Sequence, residues 1–317
     1  MLRLLASRLA QAILMLLLLS MATFALLRLA PGDPGVALYG PNATREDLAQ
    51  LRQRWGLDDP LYIQYVRWLV NAATGDLGRS FSDGRPVTAV IWERIPATLL
   101  LTASALLLAI LVGVGAGVLS VIHRYSWVDR LATLLAVAFY STPPFWLGIL
   151  LLLLFSVELG WLPSGGMRTP GALTSPGDLL RHLLLPALAL SVRDAGRFAQ
   201  VTRASVLEAL AQDYVRTATS KGLSRATIAT RHILRNTLLP LLTLLGLSIP
   251  GLLSGALVVE TVFGWPGLGR LAMEASLQRN YSVVMGEVLL VAVLALLGSL
   301  LADLAYTAAD PRIARKG

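Results

Sequence analysis

Uncharged apolar blocks, several of them long enough to cross a lipid bilayer, constrain this chain more than any other feature. Crossing the hydrocarbon core takes about 20 residues of α-helix. Residues 9–27 form one such block, after Arg3 and Arg8. The block is long for a signal peptide, and Arg28-Leu29-Ala30-Pro31-Gly32 is a poor cleavage site, so a retained first span is expected. Residues 95–122 form a second block, in which Gly113, Gly115 and Gly117 allow a neighbouring helix to approach closely. Residues 131–157 form a third, whose Pro143-Pro144 pair must break or kink the helix because each proline removes a backbone donor. Residues 182–192 are apolar but few, and Arg193, Asp194 and Arg197 follow them; this is read as a fourth span. Residues 238–259 and 283–301 supply the fifth and sixth. No barrel-type alternation accompanies these blocks. The expectation is an all-α, polytopic membrane protein with six transmembrane helices.

Composition agrees and removes other classes. Hydrophobic residues make up 55% of the chain and charged residues only 15%, where soluble domains carry about 25% charge. No cysteine is present, which excludes disulfides and thiolate metal sites. Lys and Arg total 27 against 19 Asp and Glu. In a membrane protein such an excess collects in cytoplasmic loops, so no nucleic-acid partner is inferred from it. An inside N-terminus places thirteen Arg and Lys residues in cytoplasmic segments, among them Arg124, Arg130, Arg216 and Lys221. The short outer loops then hold only Arg168, Arg181, Arg270 and Arg279. Both termini are therefore expected in the cytoplasm. Residues 1–30 form the N-terminal end and first span, and residues 31–94 an extracytoplasmic helical insert with helix-like stretches at 45–55 and 61–72. Residues 95–317 form the remaining five-helix core, including a cytoplasmic loop at 204–240.

The chemistry of an enzyme is missing. The sequence contains no G-x-x-x-x-G-K-[ST] loop, no H-E-x-x-H and no G-x-S-x-G, and His123, His182 and His232 are scattered. No cofactor or metal site is expected in this chain, and any energy source must be another chain or an ion gradient.

The polar loop is the unusual segment. Residues 213–221 favour a helix that Gly222 would stop in the left-handed conformation. Ser224 would cap a second helix over residues 225–236, and Leu239-Pro240 would end it at the membrane. A helix–Gly–helix projecting from a bundle suits docking of a cytosolic partner; an amphipathic helix resting on the membrane is the plain alternative.

Arg216-Thr217-Ala218-x-x-x-Gly222 resembles the E-A-A-x-x-x-G loop of ABC importer permeases, with Arg216 and Thr217 in place of Glu-Ala. That departure, and the late Pro240, are similar to the dipeptide/oligopeptide/nickel permeases. Further matches run in order along the chain: Ala30-Pro31-Gly32-Asp33-Pro34, Gly75-Asp76-Leu77-Gly78-x-Ser80, Thr202-Arg203-Ala204-Ser205, Asp213-Tyr214 and His232-x-x-Arg235-Asn236. Glu260-x-x-Phe263-x-Trp265-Pro266-Gly267-Leu268-Gly269 and Asp310-Pro311-Arg312-Ile313 complete the series.

The resemblance implies a B-type permease subunit with the six-helix type I importer fold. It also implies a homologous permease partner, two ATP-binding subunits that hold ATP and Mg, and an extracytoplasmic binding protein. Asp213, Tyr214, Arg216, Thr217, Ala218, Lys221 and Gly222 would then form the ATPase-coupling helix. Glu260, Phe263, Trp265, Pro266, Gly267 and Gly269 would form an extracytoplasmic gate or docking loop; a plain turn with an interfacial Trp is the alternative.

Arg193, Asp194 and Arg197 owe nothing to the resemblance. Charges within a span face a pathway or a partner. Here they would line the translocation path and meet peptide termini, or form a structural ion pair, or contact the companion permease. Peptides, nickel chelates, glutathione and other small solutes are all open as cargo. An ion-coupled secondary transporter is the rival class, but it would show inverted repeats and paired broken helices.

Overall fold

Apolar residues recurring with helical period, and almost none alternating with strand period, leave the backbone to satisfy its hydrogen bonds within helices. The computed structural model of the chain describes residues 2–29, 44, 46, 49–50, 52–53, 56–171, 175–224, 227–228 and 234–309. Among them the helices are α1 (Leu2–Leu29), α2 (Leu61–Ala73), α3 (Val87–Ile122), α4 (Trp127–Ser141), α5 (Pro144–Leu152, continuing in π form to Glu158), α6 (Pro176–Ala211), α7 (Asp213–Ser220), α8 (Leu234–Val262), α9 (Leu268–Leu277) and α10 (Tyr281–Ala309). Among the described residues the β pairing is an isolated bridge, Arg79 to Pro86. The 30–34 and 310–313 motifs, His232 and most of the stretches at 45–55 and 225–236 lie outside the described residues.

Among the described residues four helical stretches are long and apolar enough to cross a membrane: Ala10–Leu29, Val87–Ile122, Pro240–Val262 and Tyr281–Gly298. The pair α4 and α5 makes a fifth if counted as one broken span; the two are bent by 102° at Pro143-Pro144. The proline pair thus divides the expected third span, and Pro144 starts α5, where a missing N–H costs nothing. The count of six rests on α6. That helix has 36 residues, but its uncharged stretch, 182–192, is bracketed by Arg181 and Arg193. Pro240 does not end a helix as its position suggested: it lies inside α8, together with Pro250. Leu14, Leu26, Leu111 and Leu134 are all more than half exposed, a surface that suits lipid and not water.

The chain divides into two compact units. One comprises Met1–Thr98 and Pro266–Leu296. Its core is a helical stripe of α3, Val87, Val90, Ile91 and Ile95, packed on Leu268, Leu271 and Ala275 of α9 and on Val283 and Val284 of α10. The 75–80 motif has physical work here. Gly75 and Gly78 have φ of +88° and +83°, and Asp76 Oδ1 accepts the Gly78 N–H at 2.8 Å. The turn delivers Ser80 to Asn280, whose Nδ2 donates to Ser80 Oγ at 2.9 Å while its Oδ1 accepts the Phe81 N–H at 3.0 Å.

The other unit comprises Leu99–Trp265 and Leu297–Gly317. Its centre is α6, which packs on α4, α5 and α8. A Cβ on Gly113 would lie 2.5 Å from Ala195 O, and one on Gly117 would lie 2.7 Å from Ala199 O. These two glycines, at i and i+4, therefore set the closest approach of α3 to α6. Gly115 has no atom within 4 Å of such a position and takes no part.

Candidate functional site

The coupling segment folds from its own pattern. Val215 and Ala218, three apart, are buried with Ile228, and the partly buried Tyr214 packs against them, which makes roughly 1.5–3 kcal/mol available from the valine alone. Asp213, Arg216 and Thr217, at i, i+3 and i+4, are left exposed, as is Lys221. Asp213 stands in the first turn, where a negative charge suits the helix dipole. Its approach to Arg216, 3.7 Å with both side chains in solvent, adds little.

Gly222 ends α7 with φ +76°. Its N–H bonds Thr219 O at 3.0 Å, and the Leu223 N–H bonds Ala218 O at 3.3 Å. This is the Schellman arrangement in which the left-handed residue falls to glycine. Two residues later Ser224 Oγ accepts the Thr227 N–H at 3.2 Å, the bond of an N-cap. The result is a short helix with an apolar root, an ionic outer face and a fixed stop.

Arg193, Asp194 and Arg197 are brought near each other by α6 but are not joined as a triad. Asp194 Oδ1 accepts from Ser248 Oγ of α8 at 3.2 Å. Among the described residues Asp194 has no ion pair within 4 Å, including the i, i+3 pairing with Arg197. Arg193 lies 5.8 Å from the ring centre of Tyr140 on α4, a cation–π contact. Between them, Gly196 lets α4 pass so closely that a Cβ would meet Ala136 O at 2.4 Å.

Glu260, Phe263 and Trp265 close α8 in the second unit. Gly264, at φ +57°, donates to Thr261 O at 3.3 Å while the Trp265 N–H reaches Glu260 O at 2.8 Å. Trp265 and Glu260 are wholly buried, so the indole is a core anchor and not an interfacial one. Phe263 O accepts from Gly166 N at 2.8 Å, and a Cβ on Gly165 would lie 2.6 Å from the same oxygen. The loop carrying these glycines is tied to α6: His182 Nδ1 lies 3.0 Å from Gly165 O, and Asp178 accepts from Thr169 N and Oγ1. Those two bonds hold the Asp178 carboxyl below its ordinary range. Pro266, Gly267 and Gly269 belong to the first unit, where Gly267 precedes α9 and Thr98 Oγ1 accepts the Leu268 N–H at 2.8 Å.

Sequence reasoning missed Asp129. Its carboxylate, 6% exposed, accepts Arg203 Nε at 2.8 Å and Nη2 at 3.0 Å, the Tyr125 N–H at 3.1 Å and the Ser120 hydroxyl. The network fastens α3, α4 and α6 eight residues before α6 ends. Ser126-x-x-Asp129 ahead of an apolar run is a capping-box signature that would have singled out the aspartate. Nothing local could have named its partner.

Comparison with known proteins places these features. Residues 105–315 match the model of the binding-protein-dependent transport system inner membrane component, and residues 1–102 match its N-terminal companion. An oligopeptide transport system permease protein of Bacillus subtilis is 40% identical, over 94% of this chain and 95% of that protein. A putative peptide permease protein of Brucella suis is 44% identical over the same shares. A dipeptide transport system permease protein of Alkalihalophilus pseudofirmus is 37% identical, over 93% and 94%. A chain of the MetNI methionine ABC transporter, in inward-facing form, superposes with a TM-score of 0.55 at 17% identity, over 70% of this chain and 97% of that one. A chain of an amino acid ABC transporter crystallised with histidines gives 0.55 at 19%, over 70% and 94%. The fold is that of an ABC importer membrane subunit, and the chain belongs to the family of binding-protein-dependent transport system inner membrane components.

Proposed function

We propose that the chain is the permease subunit of an ATP-driven importer of di- and oligopeptides, forming the translocation pathway with a homologous permease. Two separate ATP-binding subunits hold ATP and Mg and hydrolyse the nucleotide, and an extracytoplasmic binding protein delivers the peptide. The single observation that carries this reading is α7. A helix of eight residues whose apolar root is buried and whose exposed face is ionic suits a cleft on a cytosolic subunit better than a place on the membrane surface. Movement of that subunit would drive α7 as a lever and switch the pathway by rigid-body motion. Peptide cargo is supported by the relatives that carry peptide permease names. Nickel chelates and glutathione remain cargo of the same architecture. The ion-coupled reading has less support, since among the described residues one broken span is visible and not a pair.

The test is co-purification followed by transport. ATP-binding subunits encoded with this chain should co-purify with it, and the pair Arg216→Glu and Lys221→Glu should abolish that capture. Reconstituted with its permease and binding-protein partners, the complex should accumulate labelled dipeptide only with ATP. The isolated chain should bind no nucleotide. Uptake driven by a proton gradient without the ATP-binding subunits would refute the proposal.

A further inference from the structure

The first unit contains a cavity of about 360 Å³ that the transport reading does not use. Its lining includes Arg28, Gln64, Arg67, Trp68, Arg79 and Tyr281, with no Asp or Glu among the described residues that line it. Arg67 is neutralised from outside the cavity by Asp59 at 2.9 Å. Arg79 spends one N–H on Gly84 O at 3.0 Å. Arg28 is half-buried between two aromatic rings, 5.3 Å from the centre of Phe24 and 5.7 Å from that of Tyr281. Among the described residues it has no carboxylate partner.

A partly buried guanidinium without a counter-charge is costly, and the aromatic faces offset only part of that cost. They also hold its planar fork in place, which suits bidentate recognition of an oxyanion. Two further groups lack partners: Trp68 Nε1, a donor, and Gln64 Oε1, an acceptor, are both buried and unbonded.

The position of the cavity indicates which oxyanion. Arg28 is in the last turn of α1, whose Ala10–Leu29 stretch is apolar enough to cross a membrane. Helix α2, which supplies Gln64, Arg67 and Trp68, lies along that stretch: Tyr65 Oη is 3.0 Å from Ser20 Oγ, and its ring is 5.5 Å from that of Phe24. The other face of α2 exposes Tyr62, Val66 and Val70, each by more than half. Beside it, Leu26 and Leu29 of α1 are exposed as well. A basic, aromatic-walled cavity opening beside exposed apolar faces at the end of a span matches an amphiphile with an anionic head.

We propose that this cavity binds the phosphate of a bilayer phospholipid headgroup, with Arg28 and Arg79 as its cationic contacts and the acyl chains lying along α1 and α2. The first unit would then be anchored to lipid independently of transport. The experiment is native mass spectrometry of the purified full-length chain with added phosphatidylglycerol. Arg28→Gln and Arg79→Gln should each reduce retained phosphatidylglycerol at least fivefold. Arg28→Lys should retain an intermediate amount, which guards against loss of fold. Arg85→Gln removes a charge from the same unit but outside the cavity, and it should retain lipid as the unaltered chain does. Equal loss in Arg85→Gln, or undiminished retention in Arg28→Gln and Arg79→Gln, would overturn the site. A delipidated chain that inorganic phosphate alone stabilises, Arg28 being required but phosphatidylglycerol having no effect, would overturn the lipid as its source.

Discussion

Asp129 and Asp194 show how differently one residue type is used within the second unit. Asp129 is closed off by Arg203, Ser120 and the Tyr125 N–H, so every lone pair facing inward has a donor. Asp129→Ala would leave Arg203, about one-third exposed, without its counter-charge. Removing one partner of a buried ion pair costs about 3–5 kcal/mol, and the partial exposure of Arg203 should hold the loss to about 3. A clear fall in the thermal midpoint of the detergent-solubilised chain is expected, with partial recovery in Asp129→Leu combined with Arg203→Leu. An unchanged midpoint in Asp129→Ala would show the network to be dispensable. Among the described residues Asp194 has only Ser248 as a hydrogen-bond donor, and Arg197, one turn on, forms no ion pair with it that would tie up its guanidinium. If that guanidinium meets a peptide carboxylate, the lost charge-assisted bond is worth roughly 1.5–3 kcal/mol. Uptake by an assembled Arg197→Ala complex should then fall by about tenfold or more, with binding-protein affinity unchanged. Normal uptake by such a complex would remove Arg197 from the pathway.

Helix packing separates glycines that the sequence presents as equals. Gly113, Gly115 and Gly117 read alike, but only the i, i+4 pair meets α6 backbone. Gly115→Ala should therefore be neutral or stabilising, by up to about 1 kcal/mol of helix propensity. Gly113→Ala and Gly117→Ala should each lower the thermal midpoint, because the clash is with carbonyl oxygens that cannot swing aside. Equal effects at all three positions would contradict this seam. Gly222 is the opposite case: among the described residues an added Cβ meets nothing within 4 Å, so the constraint seen there is its φ of +76°. The penalty for a side chain there is roughly 1–2 kcal/mol. Uptake should fall in the order Gly, Asn, Ala, Val, since Asn tolerates the left-handed region. A Gly222→Val complex with normal uptake and ATPase rate would dismiss the stop as a coupling element. The stop itself was legible because glycine after a polar helix has a local cause. The 102° break at Pro143-Pro144 was legible only as a break, since the angle is set by what α4 and α5 pack against.

For the whole chain, what could be read in advance followed physical range. Apolar runs and proline positions act locally, and they anticipated the helices of residues 61–73, 87–122 and 281–309 to within a few residues or one or two turns. Contacts between distant segments left no such trace. Examples are Asn280 reaching Ser80, Arg203 reaching Asp129, and the burial of Trp265. The fourth span shows the limit most clearly, because hydropathy fails once charges bracket eleven uncharged residues. Topology tests it directly. If residues 182–192 cross the membrane, the chain spans six times, and Ser224 and Thr74 lie on opposite sides with both termini in the cytoplasm. Both residues are exposed, so a cysteine at either should react with a thiol reagent that reaches it, and no native cysteine interferes. In intact cells a membrane-impermeant maleimide should label Thr74→Cys and spare Ser224→Cys. After permeabilisation both should react. A cysteine at Arg168, in the loop before α6, should behave like Thr74→Cys. If Arg168→Cys and Ser224→Cys are instead protected together in intact cells, α6 does not cross, and the charges at 193–197 lie in a cytoplasmic helix and not in the membrane. The positive-inside bias favours the crossing: four Arg residues in the short outer loops against thirteen basic residues within.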